Sequence, residues 1–174
     1  MNLIACISKN NGIGYENNLL FNIPDDMKHF KELTLNNIVV MGRKTLFTFK
    51  NKEPLSNRIN IVLTKNTDIK NKYKNFDNIF FTADKNDTIN LINKLTEKYP
   101  NKKVFIIGGE TIYNLFFNDI DTFYLTRVYE EKLCDTYLPE LNENDFYIED
   151  NGEIKEYNNI KYNFITYKRK WIWA

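Results

Sequence analysis

The chain has 174 residues, enough to bury about two-thirds of its unfolded surface in one core without disulfide or metal staples. A composition of 43% hydrophobic, 27% charged and 15% aromatic residues excludes a disordered or collagen-like chain. With 24 Lys+Arg against 23 Asp+Glu the net charge is +1, so the overall balance gives no drive toward nucleic acid or an anionic membrane.

The longest uninterrupted apolar run, Leu3 to Ile7, is far short of the roughly 20 residues that span a bilayer. There is no basic start followed by a long apolar stretch, so no secretory signal is read and a cytoplasmic protein is expected. Cys6 and Cys134 lack metal-ligand spacing and the chain has a single histidine, so no metal site is expected.

In chain order, residues 2–8 (NLIACIS) read as a short buried strand. NNGIGYENN after it is loop chemistry, because Asn and Gly tolerate positive φ, and a long mobile connection to Pro24 is expected. A helix is predicted from about Asp25 to Leu35, then a buried strand at NIVVMG and a short helix at RKTLFTF directly after its glycine. Residues 57–64 (NRINIVLT) and 78–82 (NIFFT) read as strands, and the polar KNTDIKNKYKNFD between them as surface. Residues 87–98 carry Ile89, Ile92 and Leu95 at helical spacing, with Leu91 alongside. KKVFIIGG is the clearest buried strand, followed by a helical ETIYNLFF and the strand DTFYLTRVY. The last fifty residues read as loop plus antiparallel ribbon, with Asn158-Asn159 as a hairpin turn.

This alternation predicts a single α/β domain over residues 1–170 with residues 171–174 (WIWA after) as a C-terminal tail. Its central sheet is expected to be mixed and mostly parallel, of about eight strands, with an antiparallel C-terminal ribbon and flanking helices.

The helix after Pro24 holds the most informative residue. With Asp26 set at zero and about 100° per residue, Phe30 falls near +40° and Leu33 near −20°, while Lys28 and Glu32 lie roughly opposite. Asp26 therefore sits within the apolar stripe, where an unpartnered carboxylate loses hydration or shifts its pKa upward. Asp near a helix start also caps backbone N–H groups, and Asp25 is an equally good candidate for that task. His29 lies at the edge of the stripe, where a surface or satisfied-core role is the plainer reading.

Two strand ends suit an anion. VFIIGGETIY places Gly108 and Gly109 between a buried strand and a helix, a tight turn in the plain reading and a backbone approach for a ligand in the other. It is not the GxGxxG fingerprint. VMGRKT puts Arg43, Lys44 and Thr45 at a helix start, where cations oppose the helix dipole and an anion would relieve the conflict. Thr64-Lys65 ends another strand and adds a third cation to the same sheet edge, so a nucleotide with more than one phosphate group fits.

Together LIACIS, NNGIGYENNLLFNIPDDMKHFKELT, VMGRKT, NRINIVLT, VFIIGGETIY, YLTRVY and CDTYLP, in this order from residue 2 to about 139, closely resemble the dihydrofolate reductase family. The resemblance implies reduction of 7,8-dihydrofolate to tetrahydrofolate by hydride transfer from NADPH to pterin C6, in support of one-carbon metabolism and thymidylate synthesis. It makes Asp26 the one ionisable group of the pteridine pocket, promoting protonation at N5 through water, with Thr126 bridging that carboxylate by its hydroxyl. The carbonyls of Ile4 and Ile107 would face the pteridine amino group, and Ala5, Cys6, Met27, Phe30 and Lys31 would surround the substrate. Leu55 would contact the aminobenzoyl ring, and Arg58 would hold the glutamate α-carboxylate in a bidentate pair.

For the cofactor, the resemblance implies that Gly108 and Gly109 are the family's glycine pair, that Arg43, Lys44, Thr45 and Lys65 take phosphates including the 2′-phosphate, and that Tyr113 packs near the nicotinamide. Ala5, Ile13, Gly14, Leu19, Gly42, Leu63, Thr64, Glu110, Thr111 and Ile112 complete the implied NADPH contacts. Residues 10–23 would close over the cofactor as a mobile loop. Phe21 stands where the family usually has Trp, and Leu20 where it commonly has Pro; Phe cannot donate an indole N–H bond at this catalytic position. Glu110 and Thr111 give the glycine-pair helix no cation of its own.

Two other readings of the same residues are a module that holds folate or nucleotide without turnover, and a related reductase for another pterin-like or pyrimidine compound. Arg58, placed for a glutamate tail, argues against the second. The expected partner is a small molecule, with no nucleic acid and no membrane, and the chain is expected to be a monomer unless it is the reductase portion of a longer bifunctional protein that also makes thymidylate.

Overall fold

In the computed structural model, residues 1–171 are described. The chain runs β1 (Asn2–Ile7), β2 (Gly12–Tyr15), β3 (Asn18–Leu19), α1 (Pro24–Thr34), β4 (Ile38–Gly42), α2 (Arg43–Leu46), β5 (Ile59–Leu63) and β6 (Ile79–Thr82). It continues with α3 (Lys85–Lys98), β7 (Val104–Gly108), α4 (Glu110–Phe116), β8 (Thr122–Val128), β9 (Thr136–Tyr137), β10 (Phe146–Asn151), β11 (Lys155–Tyr157) and β12 (Ile160–Arg169). Nine strands form one sheet in the order β10-β12-β8-β1-β7-β4-β5-β6, with β11 beside β12. The pairings from β8 across to β6 are parallel, and β12 joins β8 antiparallel. The sheet is thus mixed and mostly parallel, with the antiparallel ribbon at its C-terminal edge.

Period-2 alternation divides the core between the two faces of the sheet. Leu3, Ala5 and Ile7 of β1, Ile38 and Val40 of β4, and Val104 and Ile106 of β7 pack with Ile92 and Leu95 of α3 and Ile112 and Phe116 of α4. Ile4, Val39, Met41, Phe105 and Ile107 face the other side, where Phe30 and Leu33 of α1 cover them. The fully buried Phe105, Phe116 and Phe123 each contribute about 1.5–3 kcal/mol by burial. One consequence matters for chemistry: Cys6, two residues beyond Ile4, points to the α1 face.

The structure differs from the sequence expectations at three places. Residues 12–19 are not an irregular loop but a β2–β3 ribbon, extended by β9 into a separate three-stranded sheet. Its turn is Glu16-Asn17 with φ of 49° and 63°, the two positive values that a type I′ hairpin requires. The Asn158-Asn159 turn between β11 and β12 has the same signature, with φ of 48° and 63°.

Second, α1 begins at Pro24 with Ile23 as its N-cap and no side-chain cap, so Asp25 does not cap it. Asp25 instead accepts from Tyr162 Oη at 3.1 Å and Lys155 Nζ at 3.3 Å. Third, the polar segment after β5 contains a 3-10 stretch, Thr67–Tyr73, whose Ile69 and Tyr73 are buried under β6. Tyr73 further donates to the Lys52 carbonyl at 2.7 Å. The last strand ends at Arg169. Of the expected 171–174 tail, residues 172–174 lie outside the described residues.

Candidate active site

Parallel strands leave their carboxyl ends open on one edge of the sheet, and ligands of α/β sheets sit there. The ends of β1, β4, β5 and β7 open into a cleft of about 640 Å³, within the range of small-molecule sites. Its walls are Ala5 and Cys6, Gly42 to Thr45, Leu63 to Lys65, and Ile107 to Tyr113, with Ile13, Gly14 and Leu19 from the ribbon on one side. Every residue that the family resemblance implies for the cofactor lines this one cleft. Asn17 and Asn18, within the 10–23 segment expected over the cofactor, line it too, and so do Thr48, Asn66 and Thr136, which were not anticipated.

The floor is shaped by glycine. Gly108 has φ +114°, a conformation L side chains rarely adopt, and a Cβ there would stand 3.2 Å from the Tyr113 ring. A Cβ on Gly109 would meet nothing nearer than Thr45 Oγ1 at 3.8 Å, so bare backbone faces the open cleft. The Gly108–Gly109 peptide is cis. Tyr113 is buried and donates to the Ile4 carbonyl at 2.7 Å, which pins α4 to β1. Burial pushes its phenol well up, so it stays a donor. The Ile4 carbonyl therefore has one lone pair already engaged, a constraint the sequence reading did not contain.

Around the inner end, Asp26 Oδ1 accepts from Thr126 Oγ1 at 2.5 Å. Burial raises the Asp26 pKa above the ordinary carboxylate value; Thr126, His29 and the Cys6 thiol oppose the rise, and Asp25 adds to it. Burial, then the charge of Asp26, pushes the Cys6 thiol far up, so it remains protonated and unreactive. His29 stacks on Phe164 with ring centroids 4.1 Å apart, and burial lowers its pKa against the opposing pull of Asp26 and Asp25. Phe21 is buried with Leu20, Ile23, Cys134 and Tyr162, in a cluster against which Cys6 packs. The Lys132 ammonium lies 5.1 Å from the Phe21 ring centroid and donates to the Leu20 carbonyl.

The remaining substrate candidates spread along the α1 side. Phe30 and Leu55 pack on the same core cluster as Ile4 and Ile107. The Leu55 N–H is held by Asn60 Oδ1 at 3.0 Å. Met27 and Lys31 are exposed. Arg58 is 8% exposed, and its Nε donates to Ser56 O at 2.9 Å and its Nη1 to Thr34 Oγ1 at 3.2 Å. Those bonds fix the plane of the guanidinium and use neither hydrogen of Nη2. Burial lowers its pKa, yet Arg remains charged at any working pH.

One residue that organises the ribbon escaped the sequence reading. Asp135 donates its N–H to Gly14 O at 3.0 Å, and its Oδ2 accepts from Glu16 N at 3.0 Å. It lies in CDTYLP, but its partners are over a hundred positions away, and nothing in the local pattern names them.

No helix among the described residues is long and apolar enough to cross a membrane. Comparison with known proteins gives one family. The dihydrofolate reductase family model matches residues 1–169. The chain is 32% identical over 160 residues to the dihydrofolate reductase of Staphylococcus aureus (strain Mu50 / ATCC 700699), covering 91% of each chain. It is 31% identical over 138 residues to dihydrofolate reductase type 9 of Escherichia coli, covering 79% of this chain and 75% of that one. The bifunctional dihydrofolate reductase-thymidylate synthase of Paramecium tetraurelia is 32% identical over 164 residues, 93% of this chain but only 33% of that protein. The match spans the sheet, the cleft and the Asp26–Thr126 pair alike, and the chain belongs to the dihydrofolate reductase family.

Proposed function

We propose that the protein reduces 7,8-dihydrofolate to 5,6,7,8-tetrahydrofolate with NADPH, and that the residues assembled at the cleft carry that reaction. The observation behind the reading is the Asp26–Thr126 pair: one carboxylate of raised pKa, held by a buried hydroxyl, beside the Cys6 end of a cation-rimmed cleft. The cleft fits the cofactor, since Gly109 leaves room where a side chain would project and Arg43, Lys44 and Lys65 bring three cations to the rim. When bound, NADPH supplies the hydride that ends on pterin C6.

The chain's own residues bind, orient and manage one proton. Asp26 hydrogen-bonds the pterin amino and N3 positions and promotes protonation at N5 through water, a task that a raised carboxyl pKa suits. Thr126 fixes its rotamer. The Ile107 carbonyl and the second lone pair of Ile4 receive the pterin amino group, between Ala5, Cys6, Met27 and Phe30. Leu55 contacts the aminobenzoyl ring, with Lys31 at the exposed end, and Arg58 uses Nη2 toward the glutamate carboxylate. Arg43, Lys44, Thr45 and Lys65 take phosphates, including the 2′-phosphate. The ribbon, held by Asp135, shields the reacting rings from water. Residues 1–170 would act as one cytoplasmic domain, with 171–174 appended.

The test is turnover of 7,8-dihydrofolate followed by loss of reduced-nicotinamide absorbance, with NADH in parallel. Rapid oxidation of NADPH and at least tenfold poorer use of NADH is the expected result, since charge-assisted phosphate contacts are worth about 1.5–3 kcal/mol each. A folded protein that binds NADPH without oxidising it would overturn the reading.

A further inference from the structure

We infer that Glu110 is a positioning residue for cofactor retention: its carboxylate holds β9, and through it the β2–β3 ribbon, against the cleft. The inference rests on the reading of that cleft as the NADPH site.

Glu110 opens α4 directly after the glycine pair and is the one acidic residue among the described residues that line the cleft. A carboxylate in a cleft rimmed by Arg43, Lys44 and Lys65 works against a polyphosphate ligand, so its presence calls for a physical reason. Its Oε2 accepts the backbone N–H of Tyr137 at 2.5 Å. Tyr137 pairs with Gly12 of β2, Thr136 with Gly14, and Leu138 N donates to Asn11 O at 3.0 Å. The Glu110 bond therefore joins the helix at the cleft floor to the strand on which the ribbon is built. A carboxylate accepting a backbone N–H is a charge-assisted bond, among the stronger kinds. The same bond turns the negative charge toward an N–H dipole on the β9 side.

Two properties of Glu110, acceptor and charge, act in opposite directions and are separable. Glu110→Gln keeps the acceptor and removes the charge. Glu110→Ala removes both. Tyr137→Pro removes the donor and leaves Glu110 in place.

The experiment measures NADPH release by stopped-flow nicotinamide fluorescence, and amide hydrogen exchange of residues 10–23 in the protein without cofactor. Melting curves check that each variant is folded. The expected result is that Glu110→Ala releases NADPH about tenfold faster than the parent, from loss of one charge-assisted bond. Residues 10–23 should exchange correspondingly faster in that variant. Glu110→Gln should restore release to within about twofold of the parent and bind NADPH more tightly at low salt, where the removed charge is least screened. Tyr137→Pro should match Glu110→Ala, and the double variant should add nothing further. Release from Glu110→Ala within about twofold of the parent, or release from Glu110→Gln as fast as from Glu110→Ala, overturns the assignment. A parent that binds no NADPH would sink the functional reading of the cleft, and the hydrogen-exchange comparison would then decide the Glu110 tie by itself.

Discussion

Replacing Thr126 by Val removes one hydroxyl and little else. Thr126 is 2% exposed in β8, Val is close to it in shape, and the lost bond is the 2.5 Å donation to Asp26 Oδ1. A hydrogen bond to a charged group is worth about 1.5–3 kcal/mol, and one to the neutral acid about 1 kcal/mol. The ionised form therefore loses roughly 1–2 kcal/mol more than the protonated form, enough to move a titration by about one pH unit. The direction is alkaline, because Thr126 opposes the burial that raises the Asp26 pKa. The pH profile of kcat/KM should move up by about one unit in Thr126→Val and return in Thr126→Ser.

Stability follows by linkage. A carboxyl whose folded pKa is raised contributes stability that is full below its unfolded pKa and is lost as pH rises through the folded value. Val raises the folded value further, so above both folded values the variant should be less stable than the parent by about 1.5–3 kcal/mol, the gap narrowing to about 1 kcal/mol as pH falls through those raised values. A Val profile that superimposes on the parent's, or a Ser variant that behaves like Val, would refute the coupling.

Other perturbations have equally defined outcomes. Gly108→Ala forces a Cβ to 3.2 Å from the Tyr113 ring at φ +114°, and should cost about 2 kcal/mol in denaturant titration while weakening NADPH binding. Arg58→Leu should raise the KM for dihydrofolate about 100-fold and leave that for NADPH unchanged, which steady-state kinetics with each substrate varied would show. Asp135→Ala frees Glu16 N from its acceptor, and should speed hydrogen exchange of residues 12–19 and lower kcat/KM about tenfold.

What was legible in the sequence, and what was not, divides by the range of the interaction. Strands such as Val104–Gly108 announce themselves because a strand buried on both faces is apolar throughout. Asp26 stood out because a helix fixes which residues share a face, and the cation-rimmed cleft because glycines and cations fall at successive strand ends. The β2–β3 ribbon was hidden because Glu16-Asn17 carries no glycine and the partner strand, Thr136–Tyr137, lies far along the chain. That Asp25, a candidate for the cap, does not cap α1 was hidden for a similar reason: Lys155 and Tyr162, which claim its carboxylate, arrive from the C-terminal ribbon. Ile69 and Tyr73 sit in a run of Lys and Asn whose burial exists only once β6 packs over them.

In the proposed reaction everything turns on one division of labour, in which Asp26 manages the proton while the rest of the cleft holds the reactants. Its most direct test is single-turnover hydride transfer in parent and Asp26→Asn, each preloaded with NADPH and mixed with 7,8-dihydrofolate. The expected rate is lower by about 10²–10⁴-fold in the variant, with NADPH release unchanged and a melting temperature at neutral pH no lower than the parent's, because a carboxylate disfavoured by burial has been removed. Transfer in Asp26→Asn within about threefold of the parent would contradict it.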